Sequence, residues 1–244
     1  MPRLPILCYH NVGQCHELSR FKLLYVDPTK FERQLQIIHR LGFRGVSIGD
    51  GLRHLNAGKC DRLIALTFDD GYADTLDRAL PSLLKFGFTA TCYLVHDCIG
   101  KYNHWDAEYL QERKSLMGQR QIECWLAGGM EIGSHSLSHP RLQGLSDDDA
   151  WREIMESRAS LAALFGVRVD HFSYPYGGFT PGTVEMVKRA GYLSAVSMRP
   201  GIAVASDDRY RLPRIFVDGG QGWCKFLLKL LTPYQALRRR FAVG

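Results

Sequence analysis

Short apolar runs alternate with amphipathic stretches along this chain. Residues 4–9, Leu-Pro-Ile-Leu-Cys-Tyr, read as a buried strand. Residues 28–41 carry Phe31, Leu35, Ile38 and Leu41 at helical spacing, with Pro28 as the opening signal and Gly42 as the stop. Residues 43–48 and 64–68 read as strands, 74–86 as a helix stopped by Gly87, and 89–95 as a β-branched and aromatic strand. A short apolar piece lies at 130–133. A helix is expected over 146–165: Ser146 can cap it, Asp147, Asp148 and Asp149 suit the positive end of its dipole, and Gly166 ends it. Residues 171–174 read as a strand and 181–190 as a helix, and the strands 195–197 and 215–217 close the series. Such alternation predicts an α/β fold, a parallel sheet with helices outside. A barrel and an open doubly wound sheet both satisfy it.

Residues 100–128 break the pattern. They are polar and dotted with aromatics, and read as a loop with one helix laid over a site or over the sheet end. In α/β folds, ligands bind where loops leave the C-terminal ends of strands.

Composition adds limits. With 244 residues, 45% hydrophobic and 23% charged, the chain is not a disordered one, and a single large domain is the simplest reading. The net charge is +6, of which Arg238, Arg239 and Arg240 supply half, so nucleic-acid binding is not expected. Seven scattered cysteines without a CxxC argue against a disulfide framework and a cysteine-rich zinc site. No apolar run approaches the ~18–20 residues of a membrane span, and no leader is recognised, so a cytoplasmic location is expected. Residues 1–220 form the expected domain and 221–244 a separate basic amphipathic tail. Its Trp223, Phe226, Leu227, Leu230, Leu231 and Leu237 fall near helical spacing among Lys225, Lys229 and the three arginines. Such a helix can lie on an anionic membrane as a peripheral contact. The alternative is a terminal helix packed on the barrel.

Two segments carry candidate chemistry. In Leu66-Thr67-Phe68-Asp69-Asp70-Gly71-Tyr72 a strand runs into two adjacent carboxylates, which alternation sends to different tasks. In Ser134-His135-Ser136-Leu137-Ser138-His139-Pro140 the histidines are four apart, which on a helical turn puts both imidazoles on one side. Two histidines and a carboxylate form an open metal site, and a second carboxylate can take a proton from the attacking water. Each segment alone is weak, since Asp-Asp-Gly is more often a turn.

TFDDGY followed by HSLSHP resembles the first two motifs of the polysaccharide deacetylase family, the NodB-homology or carbohydrate esterase family 4 domain. Tyr174-Pro175-Tyr176-Gly177 resembles its third motif, and CYHNV, FERQL, GFRGVS, NHWD, EIGSH and LPRI resemble one bacterial branch. The likeness runs from about residue 4 to 217. It implies a distorted (β/α) barrel of about seven parallel strands. It implies a metal-dependent hydrolase removing an N-acyl group, usually acetyl, from an amino sugar. By this resemblance Asp69 matches the general base and Asp70, His135 and His139 the metal ligands. The Tyr176 N–H matches the oxyanion donor and Pro175 the turn that aims it, and Tyr174 and Pro175 are expected to line the substrate site. The ion implied is one divalent metal; two histidines and an aspartate suit Zn²⁺ best, and Co²⁺, Ni²⁺ or Fe²⁺ also fit.

Two departures stand out. Ser173 occupies the place of the arginine that usually opens the third motif, and no Leu-x-His supplies the acid near the C-terminus. Arg214 and His10 are the residues expected to compensate, Arg214 by pairing with Asp69 and His10 as the acid. Trp105, with His104 and Asp106, is a candidate sugar-stacking group or part of the loop's own core. Two alternatives stay open: removal of another acyl group, such as formyl, from a lipid-linked or nucleotide-linked sugar, and a carbohydrate-binding protein with an impaired site.

Overall fold

A computed structural model of the chain describes residues 2–232 and 234. Eight parallel strands form the central sheet: β1 (Ile6–Tyr9), β2 (Arg44–Val46), β3 (Leu63–Phe68), β4 (Thr91–Leu94), β5 (Glu131–Ser134), β6 (His171–Ser173), β7 (Ser194–Pro200) and β8 (Leu212–Phe216). Seven of them close a ring in the order β1-β8-β7-β6-β5-β4-β3 and back to β1. The eighth, β2, pairs with β3 over Leu63 to Ala65, and β4 takes over the same edge from Thr67. That handover wedges the barrel open at its N-terminal end and distorts it.

Helices α1 (Pro28–Arg40), α2 (Ile48–Asn56), α3 (Leu80–Lys85), α4 (Ala107–Leu110), α5 (Gln119–Ala127), α6 (Asp147–Phe165), α7 (Pro181–Arg189) and α8 (Trp223–Leu231) complete the fold. The Ser146 cap and the Gly166 stop of α6 are present as expected, and Asp27 adds a cap to α1. Asp27 accepts from the Thr29 and Lys30 N–H groups at α1, and Ser146 from Asp149 at α6. Gly166 ends α6 in the left-handed region at φ 64°. Phe31, Leu35, Ile122, Trp125, Ile154, Leu161 and Val187 bury helix faces against Leu7, Tyr9, Leu66, Phe68 and Phe172 on the outside of the strands.

Strand alternation then assigns the lumen. Ile6, Ala65, Val196 and Leu212 fill its lower part together with Tyr93. Two residues further along these strands stand Cys8, Thr67, Met198 and Arg214, and beyond them His10, Asp69 and Phe216. The period of two thus turns the barrel interior from apolar to polar toward the C-terminal ends.

Gly133 in β5 makes room for Tyr93. A Cβ there would stand 2.5 Å from the Tyr93 ring and 2.8 Å from the His171 carbonyl oxygen. Gly133→Ala should therefore lower stability by about 1–3 kcal/mol, read as a fall in Tm, because neither backbone nor ring can yield. An unchanged Tm would show that β5 can shift freely.

Several expectations needed correction. The strand expected over 43–48 ends at Val46, and Ser47 caps α2, which was not anticipated. The helix expected over 74–86 begins as a wide π-helical turn, Thr75–Ala79. Pro81 follows it, and a proline ring clashes with the carbonyl four residues earlier, which displaces regular α geometry there. Residues 100–128 hold two helices, α4 and α5, rather than one, because Ile122 and Trp125 give α5 its own buried face. In the tail, Phe226 and Leu230 of α8 are buried, and Lys229 donates to the Phe216 carbonyl at 2.8 Å and to Gln221 Oε1 at 2.6 Å. This part packs on the barrel. Leu237 and Arg238 to Arg240 lie outside the described residues. Among the described residues no helix is long and apolar enough to cross a membrane.

Candidate active site

The C-terminal mouth of the barrel opens into a cavity of about 760 Å³. Asp69 and Asp70 reach it from the end of β3, His10 from β1, His135 and His139 from the loop after β5, and Tyr174 and Tyr176 from the turn after β6. Arg214 meets Asp69 beneath it.

Asp69 and Asp70 part as adjacent residues in a strand should. Asp69 continues the inward series Ala65, Thr67 and is 2% exposed. Arg214 grips it in a fork: Nη1 donates to Oδ1 and Nη2 to Oδ2, both at 2.7 Å. Burial raises the Asp69 carboxyl, but the charge and hydrogen bonds of Arg214 outweigh it and hold the group down to about 2. Arg214 is itself fully enclosed. Its Nε donates to the Ser197 carbonyl at 3.0 Å and its Nη2 to Ser173 Oγ at 3.2 Å. Ser173 is small enough to leave this space to a guanidinium arriving from β8. Cys8 Sγ, a His10 ring nitrogen and an Asp69 oxygen lie within 4.8 Å of one another. His10 packs its edge on Phe216, and burial lowers its pKa.

Asp70 turns away at φ 73°. Its Oδ1 lies 3.4 Å from Nε2 of His135 and 3.4 Å from Nε2 of His139. These contacts are longer than hydrogen bonds. They match the spacing of about 3.4 Å that ligand atoms adopt when bound tetrahedrally at about 2.0–2.2 Å. The donor set therefore fits a divalent ion. His135 Nδ1 sits 2.7 Å from the Ser173 carbonyl oxygen, so it carries the proton and leaves the Nε2 lone pair toward Asp70. The His139 ring is held by packing: Trp105 stacks on it at 4.4 Å and Tyr176 stands edge-on at 4.6 Å.

The histidines do not share a helical turn, as their spacing had suggested. Residues 135–140 form an irregular loop with Ser136 at φ 68° and His139 at φ 65°. Such conformations cost about 1–3 kcal/mol each and persist where the surroundings enforce them. Here Glu153 of α6 does so. Its Oε2 accepts from the Leu137 and Ser138 N–H groups at 2.9 Å, and its Oε1 from Ser138 Oγ at 2.6 Å. No sequence signal marked Glu153, which reads as one more polar position of a helix.

Tyr176 is a further left-handed residue at φ 57°, in the turn after Pro175. Tyr174 is fully buried and donates its hydroxyl to the Tyr210 carbonyl at 3.0 Å, so it borders the cavity as packing. Trp105 and Asp106 both line the cavity, whereas His104 turns to Cys98, with Nδ1 3.5 Å from its Sγ. Asp106 accepts from Asn103 at 2.6 Å and Tyr72 at 3.2 Å, and burial followed by the charge of Asp70 pushes it up to about 7. Phe21, Leu24, Tyr109, Arg141 and Met198 complete the wall without having been foreseen.

Comparison with known proteins agrees with this arrangement. Over 226 residues the chain is 28% identical to YxkH of Bacillus subtilis, whose name places it among polysaccharide deacetylases, covering 92% of this chain and 75% of that protein. It is 21% identical over 226 residues to a poly-β-1,6-N-acetyl-D-glucosamine N-deacetylase of Staphylococcus aureus, covering 87% and 78%. The structure of the Streptococcus pyogenes deacetylase PplD in complex with acetate superposes with a TM-score of 0.77 at 24% identity, covering 98% of this chain and 99% of that one. The profile of the family described as polysaccharide deacetylase matches residues 56–195, the stretch that carries Asp69, Asp70, His135, His139 and the turn through Tyr176. The barrel, its mouth and this match make the chain a member of the polysaccharide deacetylase family.

Proposed function

We propose that the protein is a metal-dependent hydrolase that removes the N-acetyl group from an amino sugar within a glycan. The observation that carries this reading is the pair of carboxylates with separate surroundings, Asp70 facing two imidazole nitrogens and Asp69 gripped by Arg214. The curated relative that acts on poly-N-acetylglucosamine supports the substrate class.

Asp70, His135 and His139 would hold one divalent ion, with Zn²⁺ the best match and Co²⁺, Ni²⁺ or Fe²⁺ suited to the same donors. When bound, the ion polarises the amide carbonyl and makes the attacking water more acidic. Asp69 accepts the proton of that water. Arg214 keeps Asp69 ionised and oriented. The Tyr176 N–H donates to the carbonyl oxygen as charge develops on it, a contact worth about 3–4 kcal/mol in comparable sites. His10, neutral at rest because burial lowers its pKa, takes up the proton that Asp69 has accepted and passes it to the amine as the C–N bond breaks, and a free amino sugar and a carboxylate leave. Pro175 and Tyr174 brace the turn, and Trp105 fixes His139 while offering an edge to the sugar.

Metal analysis of the wild type and His135→Ala, purified side by side, tests the reading. About one divalent ion per wild-type chain, lost in the variant together with turnover of N-acetylated oligosaccharides, is the expected result. A wild type that takes up no ion after reconstitution makes the site a glycan-binding one instead.

A further inference from the structure

We propose that Arg141, stacked on Tyr176 at the mouth of the catalytic cavity, binds an acidic group, a carboxylate or a phosphate, carried by the glycan beside the reacting amino sugar. The inference rests on the deacetylase reading and narrows its substrate.

Arg141 belongs to the loop of His139 and stands two residues beyond it, so its position is fixed by the same backbone. Its guanidinium carbon lies 4.1 Å over the Tyr176 ring, and both residues line the cavity. A cation–π contact at that distance steadies the guanidinium above the ring. Among the described residues the guanidinium has no hydrogen-bond or ion-pair partner.

The cavity's three carboxylates are otherwise engaged. Asp69 is taken by Arg214, Asp70 faces the two histidines, and Asp106 receives Tyr72 and Asn103. Arg141 is thus the cation of this cavity that lacks an anion. A guanidinium ordered by stacking loses less freedom on binding and can grip a carboxylate or phosphate through two parallel hydrogen bonds. A neutral acetylated sugar offers it no such group.

The test compares metal-loaded wild type with Arg141→Gln on three size-matched substrates. These are a neutral N-acetylglucosamine oligomer, one carrying a carboxyl on the neighbouring sugar, and one carrying a phosphate there. Wild type should favour one acidic form about tenfold through KM, and Arg141→Gln should erase that preference. Which acidic form wins identifies the anion. Arg141→Lys should keep part of the preference, and added salt should weaken it. Equal turnover of all three by wild type, or an equal loss on all three in Arg141→Gln, would overturn the proposal. Binding of the same oligomers to Asp69→Asn protein separates the two readings. An acidic preference in binding that Arg141→Gln removes, with no turnover of any substrate by the metal-loaded wild type, retains the subsite and removes the deacetylase. Turnover without preference does the reverse.

Discussion

Arg214→Met should lower stability by about 3–5 kcal/mol and abolish measurable turnover. The magnitude follows from burial: Arg214 is 1% exposed and its partner Asp69 2%. Removing the guanidinium leaves an uncompensated charge inside the barrel, which costs far more than the intact pair contributes. At this chain length the loss corresponds to a fall of about 10 °C in Tm. Adding Asp69→Asn to Arg214→Met removes the stranded charge and should restore much of the stability but none of the activity. The double-mutant cycle then gives a coupling of about 2 kcal/mol or more. If the two losses simply add, the fork between Arg214 and Asp69 is not a functional unit, and the base must be held by other groups such as Ser173.

The route by which Arg214 reaches Asp69 shows what a sequence discloses and what it withholds. Asp70, His135 and His139 lie in short local patterns whose residue types already specify a metal-binding chemistry. The strand rhythm likewise gave the parallel α/β architecture, since each apolar run and each capped helix is a local signal. Arg214 had only an inference from a vacancy: Ser173 lacks the expected side chain, and a guanidinium from β8, remote in sequence but close across the barrel, fills the space. Barrel closure makes such substitutions invisible to linear spacing. Helix α2 escaped for a related reason. Gly49 and Gly51 speak against a helix locally. Yet a Cβ at Gly49 would stand 3.0 Å from His171 Nε2, closer still to Glu131 Oε1, and one at Gly51 would stand 2.9 Å from Leu4 Cδ2. Both glycines answer to tertiary neighbours. The cavity wall from Phe21 and Leu24 went unread because residues 14–24 carry no periodicity at all.

His10→Ala should reduce N-deacetylation by about 10²–10⁴-fold while sparing most of the hydrolysis of an activated aryl acetate. The two substrates share the attack on an acetyl carbonyl and differ in the leaving group. An amine cannot depart without a proton, so it needs an acid in place. A stabilised phenolate departs unaided. A group that serves only as the acid should matter for the first substrate and little for the second. Asp69→Asn offers the contrast. If Asp69 assists the attacking water, its loss should suppress both reactions to a similar degree. His10 is well placed for a role distinct from that of Asp69: its ring nitrogen lies within 4.8 Å of the Asp69 carboxylate, yet it stands at the end of β1 and is held by Phe216. Equal losses on amide and ester in His10→Ala would move His10 from proton donation to the attack step or to orienting Asp69. The acid would then have to come from elsewhere in the cavity, where Asp106, pushed up to about 7, is the next group able to carry a proton. Asp106→Asn in the same pair of assays would decide between them, since an acid in that position should reproduce the amide-selective loss.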